Sequence, residues 1–399
     1  MITNVRVKNF RSLADVNVEL GKLTVLVGQN GAGKSSFIDS LRFVRDALNT
    51  NLEEAVKTRH GMEAIRRWSP DESCETEIGI TFNETSLDGE SLWVEYAFAL
   101  LSEPNGEYRV SWERGRFGTA PDDVNQSVFH RKGNDWLHFS GNEAEKIKLA
   151  ASDNRLLIIP RLRSFAAEPV DLSELLASGY YDIAPQTLRP PQLYTFGVTL
   201  SDNGDNLASV LYALCAYDEV KQELLPPLQS VVTGVSDIRV QPVGGYLVTE
   251  LKHDDVAKGN TANGNAPWFA LNRESNGTLR WLALLVALNQ RTMMHTVAPR
   301  LVALEEPETS LHPGALAVIA DELYAARERF QIMVTTQSPD LIARLKAEDL
   351  RVVERIKGAT QIGPLDAMQR ETIQEQLFTA GDLLRIEGLR REHAEVARA

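Results

Sequence analysis

The sequence predicts an α/β fold, and three observations carry that reading. A short apolar run, Leu23 to Val27, leads into the glycine-rich stretch Gly28-Gln29-Asn30-Gly31-Ala32-Gly33-Lys34-Ser35, and Phe37, Ile38, Leu41 and Val44 then follow at helical spacing. A second apolar run, Leu301 to Leu304, ends in carboxylates at Glu305, Glu306 and Glu308. Between the two, several segments alternate apolar and polar residues as antiparallel strands do.

The first observation has a chemical consequence. A strand, a glycine-rich turn and a helix start gather backbone N–H groups and a helix N-terminus around an anion. The amides of Asn30, Gly31, Ala32 and Gly33 would line a phosphate chain. Lys34 would neutralise its β- and γ-phosphates, and the hydroxyl of Ser35, with Ser36 beside it, would ligate Mg²⁺. The cofactors expected are therefore ATP and Mg²⁺. The competing reading is an ordinary glycine-rich turn with a surface lysine.

The second observation supplies the complementary half. A buried strand that delivers an acid at its C-terminal end is a common way to hold Mg²⁺ opposite a phosphate loop. Glu305 stands at the metal-associated position, as a longer arm than the commoner Asp. Glu306 stands where a carboxylate could orient or deprotonate an attacking water. An exposed acidic turn after a core strand is the alternative.

The remaining elements follow in chain order. Val5 and Val7, then Val16, Val18 and Leu20, read as two strands of a small antiparallel sheet. Thr76 to Phe82, Leu92 to Leu100 and Tyr108 to Trp112 read as a meander, with Pro104-Asn105-Gly106 as one turn. Trp136 to Phe139 adds a strand. From about Ser140 to Val235 the pattern turns helical, with Leu207, Val210, Leu211 and Leu214 on one face and Asn203 to Asn206 as the cap. Prolines from Pro185 to Pro191 and at Pro226-Pro227 punctuate it. Ile238, Val240, Tyr246 and Val248 read as a hairpin through Gly244-Gly245, and Asn260 to Pro267 as a connector. The helix after Pro313 places Leu316, Ile319, Ala320 and Leu323 against a sheet. A strand at Arg351 to Ile356, a closing segment at Gly381 to Ile386 and a helical tail at Arg390 to Arg398 complete the chain. The expected organisation is a first half over residues 1–130, a mostly helical insertion over 131–235 and a second half over 236–399.

Composition narrows the function classes. The 399 residues suffice for two or three domains, and 43% hydrophobic content permits full cores. Lys and Arg number 42 against 55 Asp and Glu, a net charge of −13, so the chain is no general nucleic-acid binder. Its basic clusters are Arg66-Arg67, Arg114 with Arg116, and Arg161 with Arg163, each readable as ion-pair partners on a solvated face. Cys74 and Cys215 have neither metal nor disulfide spacing, which favours a reducing cytoplasm. No leader is visible at Met1, and the longest apolar run, Trp281 to Leu288, is too short to cross a bilayer.

Leu304 to Pro313, followed by Val334-Thr335-Thr336-Gln337-Ser338-Pro339, resembles the head of an ATP-binding-cassette ATPase of the RecF, SMC and OLD group. The opening Val7-Lys8-Asn9-Phe10-Arg11-Ser12-Leu13 is also similar. The resemblance implies a P-loop NTPase head with an antiparallel β layer and a helical arm. It makes Arg11 a nucleotide-contact candidate, with a solvent-facing arginine as the alternative. Glu274 to Thr278 looks like a degenerate signature loop, in which Ser275 and Gly277 would contact the γ-phosphate held by an opposite subunit; a plain helix cap is the other reading. Gln337 stands where the family usually places a switch His, and glutamine cannot carry charge near neutral pH. His312 is expected to be structural or interfacial. After the closing segment there is no room for the TOPRIM nuclease of OLD relatives. The resemblance thus implies an ATPase that closes as a head-to-tail homodimer or higher oligomer on ATP and regulates a separate effector protein, in bacterial anti-phage defence. The alternative is a RecF-like repair ATPase clamping duplex DNA. A transporter cassette would place the phosphate loop and the signature much closer together.

Overall fold

The structure is a computed structural model that describes residues 1–68, 75–85, 91–103, 106–123, 126–132, 135–140, 143–145, 155–157, 176–196, 199–254, 266–292 and 298–392. Cys74, the turn residues Pro104 and Asn105, Arg161 with Arg163, most of the asparagine-rich connector and the tail after Glu392 lie outside the described residues. Contacts gather the chain into two units: Met1–Ala177 with Leu350–Ala367 and Arg390–Ala399, and Ser178–Asp349 with Met368–Leu389.

The first unit is built on β1 (Ile2–Phe10), β2 (Leu13–Glu19), β3 (Leu23–Val27), β4 (Glu75–Thr85), β5 (Ser91–Ser102), β6 (Tyr108–Gly118), β7 (Ser127–Lys132), β8 (Asp135–Ser140) and β9 (Glu143–Glu145). Two late strands join them, β17 (Leu350–Ile356) and β18 (Ala359–Pro364). The order is β3-β17-β18-β2-β1-β4-β5-β6-β7-β8-β9. β3 runs parallel to β17 and β18 parallel to β2, while the run from β2 to β9 is antiparallel throughout. All five residues of β3 are buried, as a continuous apolar run requires. The helix Lys34–Asn49 presses Phe37, Ile38, Leu41, Val44 and Leu48 into the core. Phe43 meets Phe10 at 5.9 Å and Phe98 at 6.4 Å between ring centres. Within the meander, Glu113 and Arg131 are fully buried and 3.9 Å apart. Tyr96 donates to Glu113 at 3.0 Å, and Arg131 to Leu156 O at 2.6 Å. This is a satisfied polar knot in an apolar layer.

The second unit holds a parallel trio, β10 (Ser178–Tyr181), β15 (Leu301–Glu305) and β16 (Gln331–Thr336), in the order β10-β15-β16. A smaller sheet places β13 (Tyr246–His253) between β11 (Gln192–Leu193) and β12 (Val235–Val243), with β14 (Trp268–Ala270) also on β13. The β12–β13 hairpin turns at Gly244 and Gly245, with φ of 57° and 86°, the left-handed pair that a two-residue hairpin needs. The helix Asn276–Leu288 buries Leu279, Trp281, Leu282 and Leu285, and Trp281 Nε1 donates to Pro227 O at 2.9 Å. Among the described residues no helix is long and apolar enough to cross a membrane.

Three local expectations are corrected. The strand expected at Trp136 to Phe139 is β8, but the stretch read as helical after it carries β9, β10 and β11 besides the helices Leu207–Cys215 and Asp218–Val231. β10 is only Ser-Gly-Tyr-Tyr and buried on its last three residues, so no alternation advertises it. Pro226 and Pro227 lie inside the helix Asp218–Val231 and do not end it. The missing proline N–H groups leave the carbonyls of Gln222 and Glu223 without their ladder donors, while the carbonyl of Pro226 accepts from Ser230 Oγ at 2.9 Å and that of Pro227 from Trp281 Nε1 at 2.9 Å. Asn206 occupies the cap position of Leu207–Cys215 but does not cap with its side chain. Its Oδ1 accepts from Ser201 N at 2.8 Å and its Nδ2 donates to Thr199 O at 2.9 Å, tying the preceding loop together.

Candidate functional site

The phosphate loop leaves the C-terminal end of β3 and enters the helix Lys34–Asn49, as the sequence predicts. Gly31 and Gly33 take φ of 75° and 111°, backbone that L side chains rarely adopt. Gly33 is doubly constrained: a Cβ there would lie 2.1 Å from Thr360 Oγ1 and 2.8 Å from Ser12 Oγ. The loop is closed internally by Ala32 N donating to Gln29 O at 3.2 Å. Lys34 is 6% exposed, and its ammonium donates to Gly28 O at 2.7 Å and Gln29 O at 3.2 Å. Ser35, Gln29 and Asn30 are exposed and Ser36 half-buried. A cationic head under a glycine cradle at a helix N-terminus is a donor set suited to a polyphosphate.

The support beneath this loop was not visible in the sequence. Thr360, fully buried on β18, donates its hydroxyl proton to Ala32 O at 2.7 Å. Its oxygen lies 2.8 Å from Ser12 Oγ, which lies 3.3 Å from Ser36 Oγ. Because Thr360 has a single hydroxyl proton and the carbonyl must accept, Ser12 is the donor in the next link. A threonine in a strand carries no local signal of such a role.

Arg11, with φ of 48°, follows β1 and pairs with Asp39 on the Lys34–Asn49 helix at 2.8 Å. Asp39 also pairs with the buried Arg59 at 2.9 Å, and Arg59 reaches Asp46 at 3.0 Å. These groups line a cleft of about 530 Å³ that includes Arg11, Asp39, Arg42, Arg45 and His60. The two basic clusters within the described residues, Arg66-Arg67 and Arg114 with Arg116, are engaged as ion pairs or loop pins. Arg66 pairs with Glu63 at 2.7 Å; Arg67 donates to Ser12 O and Gly358 O, both at 3.1 Å. Arg114 and Arg116 both pair with Glu95.

In the second unit, β15 delivers Glu305 and Glu306 half-buried at its end. Glu306 has φ of 44°, and its N–H donates to Thr335 O on β16 at 2.9 Å. A small pocket beside the two carboxylates is lined by Tyr181, Ile183, Arg280, Ala283 and Pro307. Glu308, which sequence reasoning left without a role, turns inward: its Oε1 accepts from Thr336 Oγ1 at 2.6 Å. Burial pushes the Glu308 carboxyl above its ordinary range, with the Glu306 charge adding to the rise; the Thr336 hydroxyl and nearby backbone N–H groups pull the other way. Gln337 is exposed just beyond β16. His312 Nδ1 accepts from Gly314 N at 3.1 Å, a local turn bond. Among the described residues no group of three His, Cys, Asp or Glu side chains is placed to hold a metal by itself.

Ser275 caps the helix Asn276–Leu288: its Oγ accepts from Thr278 N at 3.0 Å and lies 2.9 Å from Thr278 Oγ1. Gly277 admits a close neighbour, since a Cβ there would fall 2.8 Å from Ser310 O. The loop is pinned by a residue far upstream. Arg189 Nη1 donates to Asn272 O at 3.0 Å and Glu274 O at 3.1 Å, and Nη2 to Asn276 Oδ1 at 2.7 Å. The Glu274 side chain meets His253 Nε2 at 2.9 Å.

Comparison with known proteins agrees with this chemistry. Residues 121–343, more than half of the chain, match the family described as "AAA domain, putative AbiEii toxin, Type IV TA system". Residues 1–159 match the family described as "AAA ATPase domain". A segment of 44 residues is 46% identical to the OLD nuclease of Thermus scotoductus, covering 11% of this chain and 8% of that protein. The fold is similar to an SMC head bound to the C-winged helix domain of ScpA, with TM-score 0.53 and 14% identity over 93% of this chain and 99% of that one. It is also similar to an Smc head domain with an extended coiled coil, bound to the C-terminal domain of ScpA derived from Pyrococcus furiosus. There the TM-score is 0.50 and the identity 15%, over 94% and 99% of the two chains. With the phosphate loop and the acidic strand end already described, these matches settle the family: the chain belongs to the first of the two AAA families, with the fold of an SMC-type ATPase head.

Proposed function

We propose that the chain is an ATP-driven regulatory head that closes as a dimer around nucleotide and controls a separate effector protein in anti-phage defence. The observation that carries this reading is the loop at Gly31 to Lys34, whose left-handed glycines and buried ammonium form a polyphosphate cradle at a helix N-terminus. Asn30, Gly31, Ala32 and Gly33 offer backbone donors, Lys34 charge, and Ser35 with Ser36 hydroxyls. Glu305 serves as the metal-side acid, and Mg²⁺ when bound neutralises charge on the β- and γ-phosphates. Glu306 orients or deprotonates the attacking water, and Gln337 donates a neutral hydrogen bond toward the γ-phosphate. Arg11 approaches the nucleotide once it exchanges its Asp39 partner. Ser275 and Gly277 of a second copy complete the site, so nucleotide supplies the free-energy difference between open and closed forms.

The family description names a toxin of a TA system, and the similar SMC heads carry a ScpA domain in their structures; both favour a protein partner. Arg114 and Arg116 share the one carboxylate of Glu95, which neutralises half of the positive charge that this cluster could offer duplex DNA. The test is light scattering on Glu306→Gln with and without ATP, beside Lys34→Ala. Glu306→Gln should double in mass with ATP and Lys34→Ala should not. An unchanged mass for Glu306→Gln sinks the dimer. ATP-dependent, salt-sensitive DNA affinity in place of co-purification with a protein would redirect the reading to a DNA clamp.

A further inference from the structure

We propose that Glu308 is a positioning residue of the ATPase, which fixes the turn carrying Gln337 by holding the Thr336 hydroxyl at the end of β16. The proposal rests on the reading of Gln337 as the switch residue. The chain of contacts is short and directional. The Thr336 hydroxyl proton goes to Glu308 Oε1 at 2.6 Å, so its oxygen is free to accept, and Ser338 N donates to it at 3.0 Å. Gln337 therefore sits between a residue whose side chain is clamped from one side and a residue whose amide is clamped from the other. Ser338 in turn caps the next short turn, its Oγ accepting from Leu341 N at 3.3 Å.

Two features mark Glu308 as more than a surface acid. Its Oε2 is buried without a hydrogen-bond partner, a costly state for a carboxyl group in a protein that could have placed an apolar residue there. Its backbone lies three residues beyond Glu305 and two beyond Glu306, so the same turn that presents those carboxylates also reaches across to β16. Glu308 thus couples the acidic strand end to the adjacent strand end. It does so through the Thr336 hydroxyl, with the backbone N–H of Gln337 also turned toward its carboxylate, and takes no part in bond making or breaking.

The experiment compares Glu308→Ala, Glu308→Gln, Thr336→Val, Gln337→Ala and the Glu308→Ala/Thr336→Val pair in the full chain. Turnover, KM for ATP and amide hydrogen exchange over residues 335–340 are measured for each. Glu308→Ala and Thr336→Val should each lower kcat about tenfold with KM changed less than about twofold, because binding is untouched. The double variant should be no slower than the worse single, since both cut the same link. Exchange at the Ser338 amide should rise about tenfold in both. Glu308→Gln keeps an acceptor for Thr336 and should recover about half or more of the lost turnover. Multiplying kinetic effects, or unaltered Ser338 exchange in Glu308→Ala, overturns the proposal. If Glu308→Ala fails to fold, Thr336→Val and Glu308→Gln decide the matter alone. Wild-type turnover in Gln337→Ala beside faster Ser338 exchange in Glu308→Ala would remove the switch reading and leave the positioning contact standing.

Discussion

Replacing Thr360 by valine tests whether the phosphate loop is held from below. The substitution keeps the shape of the side chain and deletes one hydroxyl. That hydroxyl donates to Ala32 O at 2.7 Å and accepts from Ser12 Oγ at 2.8 Å, in a position with no solvent exposure. Ser12 can turn toward Ser36, 3.3 Å away, so its loss is small. The Ala32 carbonyl has no equivalent escape on that side, since Ala32 is only 4% exposed. An unsatisfied buried carbonyl costs about 1–3 kcal/mol. In a folding unit of about 200 residues this lowers Tm by about 2–12 °C. Part of the loss should appear as weaker nucleotide binding: about 1 kcal/mol of loop disorder corresponds to roughly fivefold in Kd. Thermal unfolding and titration with a fluorescent ATP analogue read both quantities. Thr360→Ser keeps the hydroxyl and loses one methyl, worth about 0.8 kcal/mol, and should retain wild-type affinity. If valine binds nucleotide as tightly as threonine while serine binds worse, the hydroxyl is irrelevant and packing is the cause.

Three further outcomes are expected. Arg189→Ala removes three donors to the Asn272–Asn276 loop, so amide exchange there should accelerate and kcat should fall about tenfold; an unaltered exchange pattern would refute the pin. Burial pushes the Cys215 thiol up to about 11 from 9.0, which leaves about a hundredfold less thiolate at pH 8, so peptide mapping should find it alkylated about a hundredfold more slowly in the folded chain than after denaturation. Burial also raises the Glu308 carboxyl above 4.5, so the folded chain holds that proton more tightly than the unfolded chain, and stability is lost as pH rises through the raised value. Glu308→Gln should therefore gain Tm over wild type at pH 8 and lose the advantage by pH 4; a constant difference across that range would argue against it.

What the sequence made legible is what is written locally. The phosphate loop, the β15 carboxylates and the β4–β6 meander follow from spacing of three to eight residues, because glycine φ preferences and strand alternation act over that range. The supports did not follow. Thr360 meets Ala32 across 328 residues of chain, and Arg189 meets Asn276 across 87. Each is a common residue in a common setting, and only the fold gives it a partner. The parallel pairing of Ser178–Tyr181 with Leu301–Leu304 was illegible for the same reason: a four-residue strand with a glycine has neither length nor alternation to report. The helix start at Leu207 was legible, but the capping bond was not made, because the Asn206 side chain found better partners in Ser201 and Thr199 than the local rule assigns.

Glu306 shows why the catalytic reading depends on the neighbouring strand as much as on the motif. Two local preferences oppose its conformation. A glutamate in left-handed backbone costs about 1–2 kcal/mol, and a residue before proline is driven toward extended backbone. Yet Glu306 precedes Pro307 and has φ of 44°. The opposing force is visible on β16, where the Thr335 carbonyl accepts the Glu306 amide at 2.9 Å beyond the last regular β15–β16 pair, Glu305 with Thr335. The parallel ladder thus extends one residue past the end of the strand and imposes a bend there, turning the glutamate side chain out of the strand alternation. Strain of this kind persists only where surrounding structure over-determines it. The register of β15 on β16 is therefore itself part of the site, and a substitution that shifts it will displace Glu306 without touching a single carboxylate.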